Sequence, residues 1–524
     1  MATPSERWTI GSLLQTASDY LREKGSESPR LDAELLLAES LGLERIELYT
    51  QHDRPLTQPE VKDFRRLVAR RATHEPVAYI LGRAHFRRLV LEVDSSVLIP
   101  RPETEELVEV ALASLRKRPL WTARAKATEA VAEGGEVTPL IAEVGTGSGA
   151  IAFSLAQEAD VRVLATDTSA EALQVAMRNS ESLGLADQVE LAEADLLLGV
   201  PDGSLHLVVS NPPYVSSGDL KGLAPDVHLF EPVAALDAGP DGLAVIRRLL
   251  PEAARALRPG GTLLLEVGDK QAAAVQELAT EAGFVRVAVH EDLSGKERIV
   301  EAVLPGAWSL PLEGLGQEDT AALVGSLKEG AIVGLPTDTV YGVAAAWDSA
   351  AGVRTLFEAK GRPAEQPVAV LFASVDQIEE TLPELEPSAA QVLRALLPGP
   401  YTFVVATEVS MVPQVGTGDS LGVRVPAHPR LRGLIAQLSI PLAATSANRT
   451  GEKDVARLSE VDPAVLAHCA AAFDGVAGSP DEAAGMASTV VDLRPLAEGK
   501  APVVLREGKV PGAEVLALIA GLND

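Results

Sequence analysis

The chain has 524 residues, more than one hydrophobic core accommodates, and its length therefore predicts two to four domains. Hydrophobic residues make up 46% and charged residues 23% of the sequence, which is ordinary for a soluble globular protein, and no apolar run approaches the roughly 18 residues of a membrane helix. The formal net charge of −28 argues against broad, non-specific binding to phosphate backbones.

Cysteine usage and the N-terminus indicate the compartment. Cys469 is the single cysteine, which excludes a disulfide framework and a cysteine-built zinc site. The opening MATPSERWTI has no basic segment followed by an apolar one, so no secretory signal is expected. We therefore expect a cytoplasmic protein that does not contact membranes.

Residues 1 to about 75 predict a bundle of helices. One helix is expected to end at Gly25, and another to begin behind Thr57 as its N-cap. That second helix carries four arginines, namely Arg65, Arg66, Arg70 and Arg71. They indicate either a solvated helical face or a docking surface for a partner protein or RNA, and the sequence leaves both open.

From about residue 137 the pattern changes to strands that alternate with segments long enough for helices. The strands are PLIAEV, VRVLATD, QVELAEAD, LHLVVSN, GTLLLEV and FVRVAVHED. This alternation is the signature of a doubly wound parallel sheet. Residues 119–138, rich in Ala and Glu, are expected to form a surface insertion before the first strand.

A second domain boundary is predicted near LPGAWSLPLEGLGQ (304–317), where Pro and Gly cluster without periodicity. Beyond it a helix stopped by Gly330 leads into the strand AIVGLP, where a new core begins. The prediction is a multi-domain α/β protein with a helical bundle (1–85), a doubly wound Rossmann-like domain (86–304), a linker (305–318) and a second α/β domain (319–524).

The first candidate site begins at the glycine loop EVGTGSGA, between a strand and a helix. Glycines there let a ligand approach backbone N–H groups at the helix start, although Gly145, Gly147 and Ala150 satisfy only a loose dinucleotide pattern. Asp167 ends the next strand and could accept the hydroxyl protons of a ribose. Asp195, at the end of the third strand, could face an adenine amino group. A nucleoside pocket follows, and both NAD and S-adenosylmethionine fit it.

The stretch SNPPYV (210–215) distinguishes these two ligands. Proline has no N–H and fixes φ, so the strand must end in a rigid corner with few donors. The side-chain oxygen of Asn211 and the carbonyl of Pro212 could each accept one N–H proton of a planar amide or amine, turning its lone pair toward a methyl group. The Tyr214 ring could cover that planar group. The corner therefore predicts methyl transfer to nitrogen.

LIPRPETEELVE (98–109), the glycine loop, Asp167, NPPYV and the tail EDLSGKERIVEA resemble the release-factor glutamine N5-methyltransferase family, the HemK/PrmC type. The resemblance covers about residues 10 to 303. It implies that the helical domain holds a peptide chain release factor and that NPPY holds the glutamine of its Gly-Gly-Gln loop. The residues implied to hold S-adenosylmethionine are Gly145, Thr146, Gly147, Ser148, Gly149, Asp167, Asp195, Leu196 and Asn211. Those implied to hold the glutamine are Asn211, Pro212, Pro213 and Tyr214, with Asn211 and Pro212 as the catalytic pair.

Two positions depart from the family pattern. Glu143 stands where the family often has Asp, and Leu196 where an aromatic residue often packs on adenine.

The alternative for this half is an adenine-N6 methyltransferase of nucleic acid, because NPPY-type corners occur there too. The acidic balance and the lack of a basic stripe beside the catalytic domain count against it.

The second candidate site gathers cations, hydroxyls and amides from separate turns. GLPTDTVYGV supplies Thr337 and Thr339, and AKGRPAEQP supplies Lys360 and Arg362. The remaining residues come from GVRVPAHP, AATSANRTG and LREG, and are Arg424, Thr445, Ser446, Asn448 and Arg506. Such a set suits a triphosphate and a carboxylate, and no GxxxxGK[ST] loop is present.

The ordered set resembles the YrdC-like threonylcarbamoyl-AMP synthases, whose K-x-R and S-x-N signature is Lys360, Arg362, Ser446 and Asn448 here. The resemblance spans about 315 to 510 and implies synthesis from threonine, bicarbonate and ATP for the N6-threonylcarbamoyl modification of tRNA adenosine 37. Lys360 and Arg362 would neutralise charge on the phosphates, and Mg²⁺ would bridge phosphate oxygens without a protein-built metal site. Downstream tRNA-modification proteins are implied partners.

Further roles within this half are expected by the same resemblance. Arg424 is the candidate for the threonine carboxylate, and Thr337 or Thr339 for its hydroxyl or amine. Leu371 stands where many relatives have His, and the chain is expected to lack the extra C-terminal domain of longer relatives. The alternatives are a carbamoyl-adenylating maturation factor for hydrogenases, whose cysteine-rich fingers a single cysteine excludes, and a non-catalytic module that binds double-stranded RNA.

Overall fold

The computed structural model describes residues 8–116, 141–159, 161–307, 309–312, 315–361, 367–409, 412, 415–417, 419–449, 451–475 and 485–522. The predicted surface insertion at 119–138 and the predicted site residue Arg362 lie outside them. The helices, in chain order, are α1 Ile10–Glu23, α2 Pro29–Leu41, α3 Glu47–Thr50, α4 Gln58–Arg71, α5 Val77–Leu81, α6 Pro102–Arg116, α7 Ala150–Ala159, α8 Ala170–Leu183, α9 Pro225–His228, α10 Ala244–Ala256, α11 Ala272–Glu281, α12 Gln317–Lys328, α13 Ala350–Lys360, α14 Val375–Thr381, α15 Pro387–Leu396, α16 Pro429–Leu438, α17 Pro463–Leu466 and α18 Gly512–Ala520.

The strands, in chain order, are β1 Arg83–Phe86, β2 Leu89–Glu92, β3 Ile141–Val144, β4 Val163–Asp167, β5 Val189–Glu193, β6 Leu205–Ser210, β7 Leu257–Glu266, β8 Arg286–Glu291, β9 Glu297–Val303, β10 Ser309–Pro311, β11 Ile332–Pro336, β12 Tyr341–Ala346, β13 Ala369–Leu371, β14 Tyr401–Ala406, β15 Ser420–Arg424, β16 Leu442–Ser446, β17 Cys469–Asp474, β18 Thr489–Asp492 and β19 Val503–Arg506. Within the described chain, no helix combines the length and apolar character needed to cross a membrane.

The N-terminal helices pack around one apolar core. Leu14, Leu36 and Phe64, from α1, α2 and α4, are each at most 1% exposed. The predicted N-cap Thr57 is confirmed, since its hydroxyl and the Glu60 carboxylate form a reciprocal capping box at the start of α4. The sequence pattern and the caps therefore agree on where these helices begin.

The arginines of α4 are not a purely solvated face. Arg71 donates to the Asp32 carboxylate at 2.7 Å with its side chain only 10% exposed. Arg70 grips Glu75 through two hydrogen bonds, and the Arg65 guanidinium lies 5.7 Å from the centre of the Trp8 ring. These cations hold the helical domain together, which the sequence could not reveal because their partners lie on other elements.

The central domain is the predicted doubly wound sheet, in the order β5-β4-β3-β6-β7-β9-β8. All neighbouring strands are parallel except β9, which runs antiparallel to β7 and β8. Helices α6 and α7 pack on one face and α10 and α11 on the other. Because the chain order reverses between β3 and β6, a crevice opens at the carboxyl ends of these two strands.

The C-terminal domain is a mixed sheet in the order β10-β17-β11-β12-β16-β13-β15-β14-β18-β19. Apolar clusters lie on both faces, with Phe403 and Val423 in one and Leu335 and Leu442 in the other. The polar residues that the sequence singled out lie at or just beyond the carboxyl ends of β11, α13, β15, β16 and β19.

Part of the segment predicted as a linker, 305–318, belongs to the C-terminal sheet. Ser309–Pro311 forms an edge strand that pairs with β17, and Leu310 is fully buried in the C-terminal core. On the other side, the Gly260 N–H donates to the Pro305 carbonyl at 3.3 Å, and the Gly306 N–H donates to the Pro463 carbonyl at 2.9 Å. Pro and Gly were the basis for predicting a linker here, and they gave no indication of the leucine that anchors this strand.

Two candidate active sites

The glycine loop follows β3 and lies against β4. Gly145, Gly147 and Gly149 have φ of +77°, +55° and +84°, a region that other residues seldom adopt. The N–H groups of Gly145 and Thr146 donate to the Thr166 carbonyl at 2.8 and 3.0 Å. A Cβ added to Gly145 or Gly147 would meet no atom within 4 Å, whereas one on Gly149 would lie 2.0 Å from the Phe153 ring. Hydrogen bonds to β4 thus fix the loop, and the space beside Gly145 and Gly147 is open.

Asp167 ends β4, as predicted, and its carboxylate contacts the glycine loop. Its Oδ2 accepts from the Gly147 N–H and its Oδ1 from the Ser169 N–H, each at 2.9 Å. These two bonds hold the carboxylate beside the open side of the loop. Because each carboxylate oxygen has more than one lone pair, both can still accept from a ligand.

Glu143 lies beneath the loop and was treated in the sequence only as a departure from the family pattern. Its Oε2 accepts from the Thr146 hydroxyl at 2.6 Å and from the Ala152 N–H at 2.9 Å. Burial raises the pKa of Glu143 to about 8, against the effect of these two hydrogen bonds. This carboxyl group therefore ties the loop to the first turn of α7.

The structure places Asp195 and Leu196 in different surroundings. Strand β5 ends at Glu193, so Asp195 does not end it as predicted, and its carboxylate pairs with Arg248 at 2.5 Å on the surface. Leu196 is buried with a φ of +55°, and its carbonyl accepts from the Thr166 hydroxyl at 2.9 Å. Only Leu196 is thereby connected to the glycine loop.

The NPPY corner begins directly after β6. The Asn211 Nδ2 donates to the Thr104 hydroxyl of α6 at 3.0 Å. The Gln271 Nε2 donates to the Tyr214 carbonyl at 3.0 Å, and burial raises the pKa of Tyr214 to about 12. Since one end of the Asn211 amide is held by Thr104, its Oδ1 is turned to the other side.

A cavity of about 290 Å³ adjoins this corner. Its wall comes from six parts of the chain and is formed by Leu98, Arg101, Glu103, Asn211, Pro212, Tyr214, Val215, Leu223, Val227, Ala235, Leu236, Glu266 and Arg298. The side chain of Arg101 grips the buried Glu231 carboxylate at 2.6 and 2.7 Å, and burial raises the pKa of Glu231 to about 7. Predicted residues Asn211, Pro212 and Tyr214 line the cavity, whereas Pro213 is not among its lining residues.

Sequence reasoning missed several polar residues of this wall. Arg101 and Glu103 lie in the motif LIPRPETEELVE, and Arg298 lies in EDLSGKERIVEA. Glu266 ends β7, which pairs with β6, the strand that Asn211 directly follows. The motifs are far apart in the sequence, so the sequence alone did not indicate that their polar residues line one cavity.

The second site is a cavity of about 770 Å³ in the C-terminal domain. Seven predicted residues line it, namely Thr337, Lys360, Arg424, Thr445, Ser446, Asn448 and Arg506. Thr339 lies behind the wall, where its hydroxyl accepts from the Arg424 Nη2 at 2.8 Å. Leu371 is buried and lines the cavity at the position where a histidine was considered.

Lys360 joins two of the predicted motifs. It is the last residue of α13 and is 6% exposed. Its Nζ donates to the Ser446 carbonyl at 2.5 Å and to the hydroxyls of Thr445 and Ser446 at 3.2 Å each. The ammonium group is therefore held against the carboxyl end of β16.

Arg424 forms a buried ion pair that the sequence did not predict. Its Nη2 donates to the Asp338 carboxylate, and both side chains are 8% exposed. The Arg424 Nε and the Asp338 Oδ2 have no hydrogen-bond partner among the described residues. Asp338 lies between the two predicted threonines in PTDTVYG, and its carboxylate is the feature of this motif that indicates a partner for an arginine.

Arg506 and Asn448 also line the cavity. Arg506 Nη2 donates to the Ser488 carbonyl at 2.9 Å, and burial lowers the pKa of Arg506. Asn448 Nδ2 donates to the Glu452 carbonyl at 2.7 Å, while its Oδ1 is buried without a partner in the described part of the chain. Cationic and amide groups thus both line this cavity.

Three family models match the chain. Residues 12–82 match the PrmC N-terminal domain, residues 129–226 the methyltransferase small domain, and residues 325–508 the Sua5, YciO and YrdC model, described as telomere recombination. The three matches fall on the helical domain, the doubly wound domain and the C-terminal domain in turn.

Relatives that are matched over nearly their whole length cover the N-terminal part of this chain. The release factor glutamine methyltransferase of Rhodopirellula baltica is 40% identical over 296 residues, covering 56% of this chain and 95% of that protein. The protein of the same name from Geobacter sulfurreducens is 40% identical over 301 residues, covering 57% of this chain and 98% of that protein.

A solved structure is similar to the C-terminal part. The crystal structure of P. abyssi Sua5 complexed with L-threonine is 33% identical, covers 41% of this chain and 60% of that chain, and has a TM-score of 0.35. The present chain therefore spans less than two thirds of the length of that protein.

Proposed function

We infer the function of the first half from its family: the chain belongs to the release factor glutamine methyltransferase family, and its first 300 or so residues methylate a glutamine of peptide chain release factors. We propose that this glutamine is the one in the Gly-Gly-Gln motif. The second half carries a Sua5/YciO/YrdC domain, for which we propose threonylcarbamoyl-AMP synthesis.

The held orientation of Asn211 supports the proposed glutamine site. With Nδ2 engaged by the Thr104 hydroxyl at 3.0 Å, the Asn211 Oδ1 is the amide atom left to accept from a glutamine N–H. The Pro212 carbonyl would accept the second N–H, and neither Pro212 nor Pro213 has an N–H that would compete. A nitrogen held by two acceptors presents its lone pair outside their plane, where Tyr214 covers one face.

The glycine loop fits S-adenosylmethionine, which supplies the methyl group. Space is open above Gly145 and Gly147, and the fixed Asp167 carboxylate borders it. We propose that the loop Gly145–Gly149, Asp167 and Leu196 hold this cofactor. Asp195 would join them only by leaving its ion pair with Arg248.

The test is transfer of labelled methyl from S-adenosylmethionine to a bacterial release factor, followed by peptide mapping. Label on the glutamine of the Gly-Gly-Gln motif is the expected result. Label on adenine of added DNA or RNA, with none on the release factor, would support the nucleic-acid methyltransferase alternative. A release factor whose Gly-Gly-Gln glutamine is replaced by alanine is the matched control substrate.

The position of seven predicted residues on one cavity wall supports the synthase proposal. In the proposed reaction, the threonine amine attacks the bicarbonate carbon and water leaves, which gives a carbamate. A carbamate oxygen then attacks the ATP α-phosphorus while pyrophosphate leaves. Lys360 and Arg362 would balance the negative charge on the phosphates. Magnesium would enter the site bound to ATP, as part of the substrate.

Arg424 is proposed to hold the threonine carboxylate beside its bond to Asp338. Its Nε has no hydrogen-bond partner among the described residues, so one donor is left for that ligand. Thr337 and Thr339 are less suited to the threonine hydroxyl than the sequence suggested, because the Thr337 hydroxyl donates to the Val340 carbonyl at 2.7 Å and Thr339 bonds Arg424.

Release of labelled pyrophosphate, with each substrate omitted in turn, tests the synthase proposal. Turnover should require threonine, bicarbonate and ATP together. ATP turnover without threonine would contradict the assignment, and binding of double-stranded RNA without any turnover would support the binding-module alternative. Addition of purified tRNA-modification proteins to the same reaction would test them as proposed downstream partners.

A further inference from the structure

Glu266 lies next to Asn211 but has no role in the function proposed so far. Strands β6 and β7 pair in parallel with Ser210 opposite Leu265, so the following residues, Asn211 and Glu266, are neighbours at the ends of these strands. Glu266 is 2% exposed, lines the cavity at the NPPY corner, and has no partner for Oε2 among the described residues.

We propose that Glu266 is a positioning residue, which together with Thr104 fixes the Asn211 amide so that Oδ1 faces the acceptor nitrogen. The proposal rests on the proposed glutamine methylation and adds residues that act on the acceptor through Asn211. It also gives a role to Thr104, which is 4% exposed and belongs to the motif LIPRPETEELVE.

A side-chain amide has two orientations that differ in their hydrogen bonds. Rotation of Asn211 by 180° about its last bond exchanges Oδ1 and Nδ2, which have opposite hydrogen-bonding character. In the clamp only the orientation with Oδ1 toward the glutamine can accept an N–H proton. The other orientation would bring two donors together at the acceptor nitrogen.

Thr104 and Glu266 together favour the first orientation. Asn211 Nδ2 donates to the Thr104 hydroxyl at 3.0 Å, and both side chains act to lower the pKa of the neighbouring Glu266. A carboxylate has no donor, so Glu266 can only accept from the Thr104 hydroxyl, whose oxygen remains able to accept from Nδ2. A flipped Asn211 would point Oδ1 at this anion.

The charge of Glu266 determines how strong this preference is. Burial raises the pKa of Glu266 to about 7, while Thr104, Arg298 and Asn211 act to lower it and Glu103 acts to raise it. The groups that face Glu266 come from α6, the NPPY corner and β9, and are Glu103, Thr104, Asn211, Tyr214 and Arg298.

The ionisation of Glu266 determines the direction of the pH effect. Above pH 7 Glu266 is ionised and accepts only, so Asn211 is locked in the productive orientation. Below pH 7 Glu266 gains an O–H that can donate to Oδ1, and the flipped amide becomes acceptable. Methyl transfer should therefore fall as the pH decreases through about 7.

The first experiment observes Asn211 without relying on catalysis. The sequence has four asparagines, Asn179, Asn211, Asn448 and Asn523, so side-chain ¹⁵N-asparagine labelling gives few amide signals in the full chain. The Asn211 signal, assigned by its loss in Asn211→Asp, should shift with pH near 7 in the wild type and stay unchanged in Glu266→Gln. A pH-independent Asn211 signal in the wild type would overturn the proposal.

The second experiment measures methyl transfer to the release factor from pH 6 to 9. Glu266→Gln and Thr104→Val should each lower kcat at pH 8 by about tenfold, the effect of one charge-assisted contact, with little change in KM for S-adenosylmethionine. Thr104→Ser should restore most of the rate because it keeps the hydroxyl. Glu301→Gln is the matched control, since its carboxyl lies on the neighbouring strand β9, is 16% exposed and bonds His290 instead.

The outcomes separate this proposal from the proposed function. No methylation by the wild type would contradict the function, while the Asn211 signal would still decide the role of Glu266. Wild-type methylation with an unchanged rate and pH profile in Glu266→Gln would overturn the positioning role alone. A parallel loss of S-adenosylmethionine binding in both variants would indicate a merely structural role and would also overturn it.

Discussion

The Nζ of Lys360 lies 2.5 Å from the carbonyl oxygen of Ser446, although the two residues are 86 positions apart in the sequence. This hydrogen bond joins the last residue of α13 to the last residue of β16. It holds a buried ammonium group on the wall of the larger cavity. The most direct prediction for the C-terminal half concerns this ammonium group.

Lys360→Ala or Arg362→Ala should lower threonine-dependent pyrophosphate release at least about tenfold, or roughly 1.4 kcal/mol of transition-state stabilisation. The reason is that the positive charges near the phosphates would be lost. Lys500→Ala, which removes a lysine whose side chain is 70% exposed, is the matched control. Full pyrophosphate release in a variant that lacks both Lys360 and Arg362 would contradict the proposed phosphate site.

Asn211→Ala should lower methyl transfer by two to three orders of magnitude, about the effect of removing one positioned polar group in an active site. The affinity for S-adenosylmethionine should change little, because Asn211 bonds Thr104 and not the glycine loop. Labelled methyl transfer and calorimetric binding measure the two quantities. Lys360→Ala serves as the control because it belongs to the other domain, and near-normal turnover in Asn211→Ala would exclude the clamp.

Arg424→Lys should raise the threonine KM about tenfold and leave the ATP KM nearly unchanged. A guanidinium can hold Asp338 and Thr339 and still offer a further donor, whereas an ammonium is a single point charge. The threonine dependence of pyrophosphate release at saturating ATP measures this effect. An increase in the ATP KM instead would move Arg424 from the threonine site to the phosphate site.

Features set by neighbouring residues were predicted well from the sequence. The capping box of Thr57 and Glu60 depends on residues three apart. The glycine loop and Asp167 belong to successive strands of a parallel sheet, whose carboxyl ends must lie together. Local chemistry and a regular topology were sufficient for these features.

Features set by distant partners were not predicted. Asp195 pairs with Arg248 from α10, which no strand pattern indicates. The contact of Asn211 with Thr104 joins residues 107 positions apart, and the pairing of Asp338 with Arg424 joins residues 86 apart. In each case the identity of one residue gave no information about where its partner would lie.

Leu310 provides the last prediction, because it decides where the C-terminal domain begins. Leu310 is fully buried on the edge strand β10, which pairs with β17. Leu310→Ala in the full chain should lower the free energy of unfolding of the C-terminal domain by about 2 to 5 kcal/mol. Calorimetry should show a lower C-terminal transition and an unchanged methyltransferase transition. Leu293→Ala is the matched control, since Leu293 is 94% exposed and its loss creates no cavity. If Leu310→Ala melts like the control, the strand contributes little, and a domain boundary beyond residue 312 becomes the better assignment.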